Sequence, residues 1–127
     1  FSWILFNETW GLRTAVEKNG KKENVYSPAT QQWVASMYYL TKSLDPTRLV
    51  EDNSICCRAG HTVTDLNSFH DYLPGWEWEP HLKKLTEQSF EGSTFQFEAG
   101  FKQGKQPKIN SECGNVWGYE GSTGDVD

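Results

Sequence analysis

The chain has 127 residues, a formal net charge of −5 and a sequence pI of about 5.2. This length suffices for one small domain with a core. The acidic balance argues against a nucleic-acid-binding surface, which needs clustered Lys and Arg, and no apolar run approaches the roughly 18 residues of a membrane span. The three cysteines lack zinc-binding spacing. We therefore expect no metal and no cofactor, and we expect Cys113 to be a small buried packing residue.

The first part of the chain predicts a strand, a loop and an amphipathic helix. The apolar run Ser2–Asn7 is typical of a parallel strand buried on both faces. The polar stretch Thr9–Val25 predicts a long loop that contains the turn signal Asn19-Gly20. Ser27 offers an N-cap ahead of Pro28 for a helix that ends before the next proline. The apolar stripe of this helix consists of Trp33, Val34, Met37, Tyr38 and Leu44.

Strands then alternate with a loop and a second helix. Leu49–Asn53, Leu66–Tyr72 and Lys108–Ser111 predict strands. Glu79–Ser89 predicts a short helix, with Leu82 and Leu85 facing inward, and the Gly-rich stretch 92–106 predicts a loop. This alternation is typical of a parallel α/β architecture. A (β/α)8 TIM barrel of about 250 residues has about 31 residues per strand-plus-helix unit, so the chain corresponds to a partial barrel of roughly half the ring.

Two glutamates stand where buried strands are expected to end. Glu8 follows the first strand and Glu112 follows the last. Carboxylates at the carboxyl ends of barrel strands are typical of catalytic residues, and a pair of them is the minimum for cleaving a glycosidic bond. The two residues are about 100 positions apart, roughly three units of a barrel, which lets their strands face each other across a closed ring.

Four stretches, taken in order, resemble glycoside hydrolase family 2, the β-galactosidase-like retaining glycosidases with a β/α barrel. Phe6–Gly11 resembles their Asn-Glu signature, Asp45–Arg48 the turn before the fifth strand, and Thr64–His70 the sixth strand. Lys102–Gly104 with Pro107–Gly114 is similar to the approach to the seventh strand and the nucleophile. The resemblance implies that residues 1–127 are a fragment holding strands four to seven of the catalytic barrel. The preceding sandwich domains and the rest of the barrel would then be absent.

The same resemblance implies roles for individual residues. Glu8 would be the general acid/base, which must hold a proton, and Glu112 would be the nucleophile that forms the glycosyl ester. Asn7 would hydrogen-bond the sugar 2-OH. Further candidate substrate-binding residues are Trp10, Asp52, Asn53, His70, Tyr72 and Trp117.

Several of these assignments leave alternatives open. Asp52 and Asn53 are expected either to contact sugar hydroxyls or to form a turn or cap, and His70 either to contact substrate or to orient a carboxylate. Relatives place a tyrosine hydroxyl beside the nucleophile where this chain has Phe69, so Tyr72 or His70 is left to fill that role. The two tryptophans, residues 10 and 117, would stack on sugar or pack in a core.

The resulting functional hypothesis is a retaining exo-acting β-glycosidase, with a β-galactoside as the default substrate. The alternative is a non-catalytic carbohydrate-binding module, which the aromatic content of 14% and the small size favour. Half a barrel leaves strand edges and a core face exposed. We therefore expect the isolated chain to be inactive, and either to self-associate or to be poorly stable. The sequence indicates no cellular compartment.

Overall fold

The computed structural model describes residues 1–56 and 59–114, apart from the side chain of Trp10. In chain order the elements are strand β1 (Ser2–Ile4), a 3₁₀ turn (Trp10–Leu12), strands β2 (Thr14–Lys18) and β3 (Lys21–Val25), helix α1 (Pro28–Leu44), strands β4 (Leu49–Glu51) and β5 (Asn67–His70), helix α2 (Gly75–Gln88) and strand β6 (Lys108–Glu112). The protein is therefore mixed α/β, as the alternating pattern predicts.

Four of the strands form short parallel pairs. β1 pairs with β4, and β5 pairs with β6. Beyond the strand ends, parallel bridges join Asn7 to Ser54 and Ile55 to Phe69. The pairs are thereby linked in the order β1, β4, β5, β6, which brings their carboxyl ends to one edge. The described residues form no closed barrel, so the parallel α/β prediction is confirmed and the half-barrel stays a prediction.

The stretch Thr9–Val25 is not a loop throughout, contrary to expectation. β2 and β3 form an antiparallel hairpin, whose turn residues Asn19 and Gly20 have φ angles of 53° and 73°. Positive φ at both positions is the type I′ geometry, which Asn-Gly favours because its twist matches that of the flanking strands. The strands themselves escaped prediction because nearly all of their residues are exposed, so no apolar alternation marks them.

Helix α1 begins and ends as predicted. The Ser27 hydroxyl oxygen accepts a hydrogen bond from the N–H of Thr30 at 3.2 Å, and the helix ends at Leu44, ahead of Pro46. Trp33 and Leu44 were expected in the core, yet both are exposed. The buried stripe is narrower than the apolar one, because α1 packs chiefly on the short strand β4. Its members are Gln31, Val34, Ala35 and Tyr38.

Asp65 ties α1 to β4. Its carboxylate accepts hydrogen bonds from the Tyr38 hydroxyl at 2.7 Å, the Lys42 ammonium at 3.0 Å and the Val50 N–H at 2.9 Å. Burial by itself raises the pKa of Asp65, but these three donors together lower it, because each stabilises the ionised carboxylate. The contact anchors the helix over the strand that leads to the candidate site.

Helix α2 starts four residues before the predicted Glu79 and contains Pro80. Pro80 is tolerated because it lies in the second turn of the helix, close to the end where backbone N–H groups have few intrahelical partners. Leu85 is buried as expected and belongs to the same apolar cluster as Phe69. Leu82 was expected to face inward but is 46% exposed, because one stripe of α2 suffices to cover this small cluster.

The apolar core is small and divided. One cluster contains Tyr26, Val34 and Ala59, and the other contains Ile55, Phe69 and Leu85. β1 was expected to be buried on both faces, but Trp3 and Ile4 are about half exposed, and among the described residues β4 is the only strand that pairs with β1. Cys113, expected to be buried, is exposed, because the chain has left the sheet after Glu112. In the described part of the chain, no helix combines the length and apolar character needed to cross a membrane.

Candidate active site

Glu8 leaves the first parallel pair in an unusual turn. Its N–H donates to the Ser54 carbonyl at 2.8 Å, next to the bridge that joins Asn7 to Ser54. Glu8 and Thr9 have φ angles of 57° and 51°, values that are uncommon outside glycine and rare for a β-branched residue. Residues held in such conformations cost about 1–3 kcal/mol each and cluster at functional sites.

The contacts around Thr9 hold this turn in place. Thr9 is buried, and its N–H donates to the Asn7 carbonyl at 2.6 Å. Its hydroxyl oxygen accepts a hydrogen bond from the Asn53 side-chain amide at 3.4 Å. These hydrogen bonds and the burial of Thr9 hold the strained backbone, and they thereby fix the direction of the Glu8 side chain.

Glu112, His70 and Glu8 converge at the carboxyl ends of the strands. His70 Nδ1 lies 2.8 Å from Glu8 Oε1 and 3.5 Å from Glu112 Oε2. One carboxylate oxygen of each glutamate and one imidazole nitrogen of this triad lie within 4.8 Å of one another. The His70 ring is almost fully buried, whereas the Glu8 side chain is 18% exposed and that of Glu112 46% exposed. The structure thus brings together two glutamates that are remote in sequence, with a histidine between them.

His70 faces the carboxylate of Glu8. Its buried ring leaves almost no surface for a sugar, while Nδ1 is within hydrogen-bonding distance of Glu8. Of the two roles considered for this residue, the geometry favours orientation of Glu8. The three side chains are also of types that bind metal ions, and one atom of each lies within 4.8 Å of the others. The 2.8 Å contact between His70 and Glu8 is a hydrogen-bond distance.

The remaining candidates at this edge are placed as follows. Asn7 has an exposed side chain at the same turn as Glu8. Tyr72 lies just beyond β5 and is also exposed, whereas Phe69 is buried in the α2 cluster and so points away from the triad. Trp10 opens the 3₁₀ turn, but its side chain, like the whole of Trp117, lies outside the described residues.

Asp52 and Asn53 follow β4, and neither presents surface to a ligand. Both are fully buried. Asp52 Oδ1 lies 2.8 Å from His61 Nδ1, and its Oδ2 accepts hydrogen bonds from the N–H and hydroxyl of Thr62 at 2.6 and 2.8 Å. The Asn53 amide supports Thr9. Of the alternatives considered for these residues, the structure therefore favours local support of the backbone over contact with sugar hydroxyls.

His61 and Glu51 are interior residues that the sequence analysis missed. His61 is fully buried between Asp52 and the Ser68 carbonyl, which lies 2.9 Å from Nε2. Glu51 accepts a hydrogen bond from the Ser68 hydroxyl at 2.6 Å, on the face of β5 that also carries His70. No signal marks either residue in the sequence, because His61 stands in an aperiodic loop and Glu51 is one of many acidic residues.

A cavity of about 390 Å³ lies against β5. Phe69, Phe95 and Phe97 contribute to its lining, together with Glu98, whose pKa is raised by burial although the Gly60 N–H donates to it at 2.5 Å. His70 is part of this lining, whereas neither glutamate of the triad is. We therefore treat the triad, and not the cavity, as the candidate site.

Comparison with known proteins leaves the family open. No family model matches the chain, and no curated protein or solved structure is significantly similar to it. The resemblance to glycoside hydrolase family 2 therefore rests on the motifs quoted above.

Proposed function

We propose that this chain supplies the catalytic carboxyl pair of a retaining β-glycosidase. The observation that carries the proposal is the approach of Glu8 and Glu112 side-chain oxygens to within 4.8 Å. Retaining glycosidases have their carboxyl groups about 5–5.5 Å apart, whereas inverting enzymes need about 6.5–9.5 Å to admit a water molecule. Because one oxygen of each carboxylate lies within 4.8 Å of the other, both groups are close enough to act on a single anomeric carbon, and the choice of the retaining mechanism rests on the motif resemblance.

In this proposal the two carboxyl groups have different tasks. Glu112, about half exposed at the strand end, attacks the anomeric carbon and forms a glycosyl ester as the glycosidic bond breaks. Glu8 gives its proton to the departing oxygen and later removes one from the water that hydrolyses the ester. His70 lies at hydrogen-bonding distance from Glu8 Oε1 and orients this carboxyl group toward the departing oxygen. Asn7, exposed beside Glu8, hydrogen-bonds the sugar 2-OH.

The order of the parallel strands supports a place for this chain within a larger barrel. β1, β4, β5 and β6 follow one another in space as in sequence, as strands four to seven of an eight-stranded barrel would. A β-galactoside as substrate rests on the motif resemblance alone. The binding-module alternative fits less well, because such modules are usually sandwiches of alternating strands, whereas here four parallel strands occur together with two helices.

The test is made on the full-length protein that contains this chain. We expect it to hydrolyse nitrophenyl β-galactoside with retention of anomeric configuration, followed by NMR. Glu112→Gln is expected to abolish turnover. Glu8→Gln is expected to lower kcat by about 10²–10⁴-fold, the usual contribution of general acid catalysis. This loss should shrink with a dinitrophenyl leaving group, which needs little help from a proton. Glu91→Gln, an exposed glutamate outside the triad, is the matched control.

Other outcomes decide against the proposal. Unchanged turnover in Glu112→Gln contradicts the nucleophile assignment, and inversion of configuration contradicts the retaining mechanism. Glycoside binding that survives replacement of both glutamates, without hydrolysis by the natural protein, favours the binding module. Stoichiometric binding of a divalent cation that is lost in both Glu8→Gln and Glu112→Gln would show that the triad is a metal centre.

A further inference from the structure

Strand β6 does not pair regularly with β5. Phe69 pairs with Asn110, but the next residue of β5, His70, pairs with Glu112. Ser111 is therefore an extra residue between two consecutive pairs, which is a β-bulge. Because side chains alternate between the faces of a strand, one extra residue changes the face that every following side chain occupies.

The bulge decides which side chain meets His70. Ile109 pairs with Ser68, and Ser68 shares its face of β5 with His70. In a regular strand, Ser111 would be the next residue on that face, and Glu112 would point to the opposite side. With the bulge, Glu112 takes this place instead, 3.5 Å from His70 Nδ1.

The side-chain amide of Asn110 spans this irregularity. It faces the carbonyl oxygens of Phe69 at 2.9 Å and of Glu112 at 2.8 Å. Because a carbonyl oxygen can only accept, the nitrogen of the amide must face them both and donate to each. One side chain thus links the neighbouring strand to the backbone of Glu112 itself, across the extra residue.

We infer that Asn110 is a positioning residue that holds the Ser111 bulge and thereby aims Glu112 at Glu8 and His70. The catalytic part of this inference rests on the proposed glycosidase function. Without the two hydrogen bonds, the end of β6 is released toward regular pairing, in which Ser111 faces His70 and Glu112 turns away. A misplacement of about 1 Å in a catalytic group can cost about 10²-fold in rate.

The first test removes the donors but keeps the size of the side chain. In the full-length protein, Asn110→Leu is expected to lower kcat by about 10²-fold with little change in KM, because Glu112 acts in the chemical step. The matched control is Asn24→Leu, the same change on the exposed strand β3, which should leave kcat unchanged. Asn110→Asp sets carboxylate oxygens against two carbonyls, and it provides a second variant if Asn110→Leu folds poorly.

A deletion distinguishes a role of Asn110 in positioning Glu112 from a general contribution to stability. Removing Ser111 from the Asn110→Leu variant eliminates the extra residue, so that regular pairing again sets Glu112 opposite His70. We expect this deletion to restore kcat by about tenfold or more toward the natural value. A residue that merely stabilised the fold would not be rescued by further shortening of the strand.

A structural measurement keeps this inference distinct from the proposed function. In a structure of the Asn110→Leu chain, the 3.5 Å distance between His70 Nδ1 and the Glu112 carboxylate should lengthen beyond contact. If Glu112→Gln leaves turnover intact, the proposed function fails, while this distance still tests the bulge. If Glu112 proves essential, but Asn110→Leu changes neither kcat nor the distance, the inference is overturned.

Discussion

At the scale of single residues, Lys108 is an ammonium in an unfavourable environment. Burial lowers its pKa to about 8. Its Nζ donates to the side-chain oxygen of Gln96 at 2.7 Å and lies 5.8 Å from the centre of the Phe95 ring. In an unfolded chain the pKa of lysine is about 10.4, so between pH 8 and 10 the unfolded state binds more protons than the folded state. The contribution of Lys108 to stability therefore increases as pH rises through this range.

Replacement of Lys108 by methionine should remove this pH dependence. We expect the difference in free energy of unfolding between Lys108→Met and the natural chain to be largest near pH 7, in favour of the variant, and to shrink toward pH 10. The difference should stay below about 1 kcal/mol, because Lys108 is only partly buried and solvent screens its charge. Urea titrations at several pH values measure it. Lys105→Met, at an exposed position, serves as control, and identical slopes for the two variants would contradict the prediction.

At the scale of elements, signals that depend on neighbouring residues predicted the structure well. The Ser27 cap and the end of α1 ahead of Pro46 are read correctly because capping chemistry is local. Asn19-Gly20 predicted a turn, but the two strands of the hairpin were not predicted, because exposed strands show no alternation of apolar and polar residues. The bulge at Ser111 leaves no trace in the sequence, since it depends on the pairing with β5. The pairing between strands could not be predicted from residue spacing alone.

Gly60 offers a test of how tightly one loop packs. A Cβ added there would lie 2.8 Å from the Phe97 carbonyl carbon and 2.9 Å from the Glu98 nitrogen. Both are backbone atoms, so a change of rotamer cannot relieve the clash. We expect Gly60→Ala to lower the free energy of unfolding by about 1–3 kcal/mol, as overpacking typically does. Gly11→Ala has no atom within 4 Å of the added carbon and is the control. Equal stability of the two variants, measured in urea, would contradict this account.

At the scale of the whole molecule, the candidate site depends on distant parts of the chain. Glu8 follows β1, His70 ends β5 and Glu112 ends β6, so the triad exists only when all three strands are in place. The two glutamates could be paired from sequence because strand ends mark the catalytic edge of a barrel. The role of His70 could not be decided, since it depends on a contact of 2.8 Å. The burial of Asp52 could not be predicted either, because it depends on a loop whose sequence has no regular apolar spacing.

The same arrangement leaves an apolar face open beside the site. Ile4 and Leu49 are 57% and 49% exposed. The register of β1 with β4 sets both residues on the face that also carries Glu51, which in a complete barrel would be the interior. Exposed apolar surface next to a strand edge favours association. We therefore predict that the isolated 127-residue chain self-associates through this face.

Charge at this face should prevent the association. Ile4→Lys is expected to lower the average mass seen by sedimentation velocity over a wide range of chain concentrations, because burial of an ammonium in an apolar contact is costly. Val16→Lys introduces the same charge on the exposed hairpin strand β2 and should leave association unchanged, which separates a local effect from a change in net charge. A natural chain that stays monomeric at every concentration would contradict the prediction. Equal loss of association in both variants would also contradict it, because the effect would then not depend on this face. Association that Ile4→Lys alone abolishes would locate the contact on the surface that the remaining strands of the proposed barrel are expected to cover.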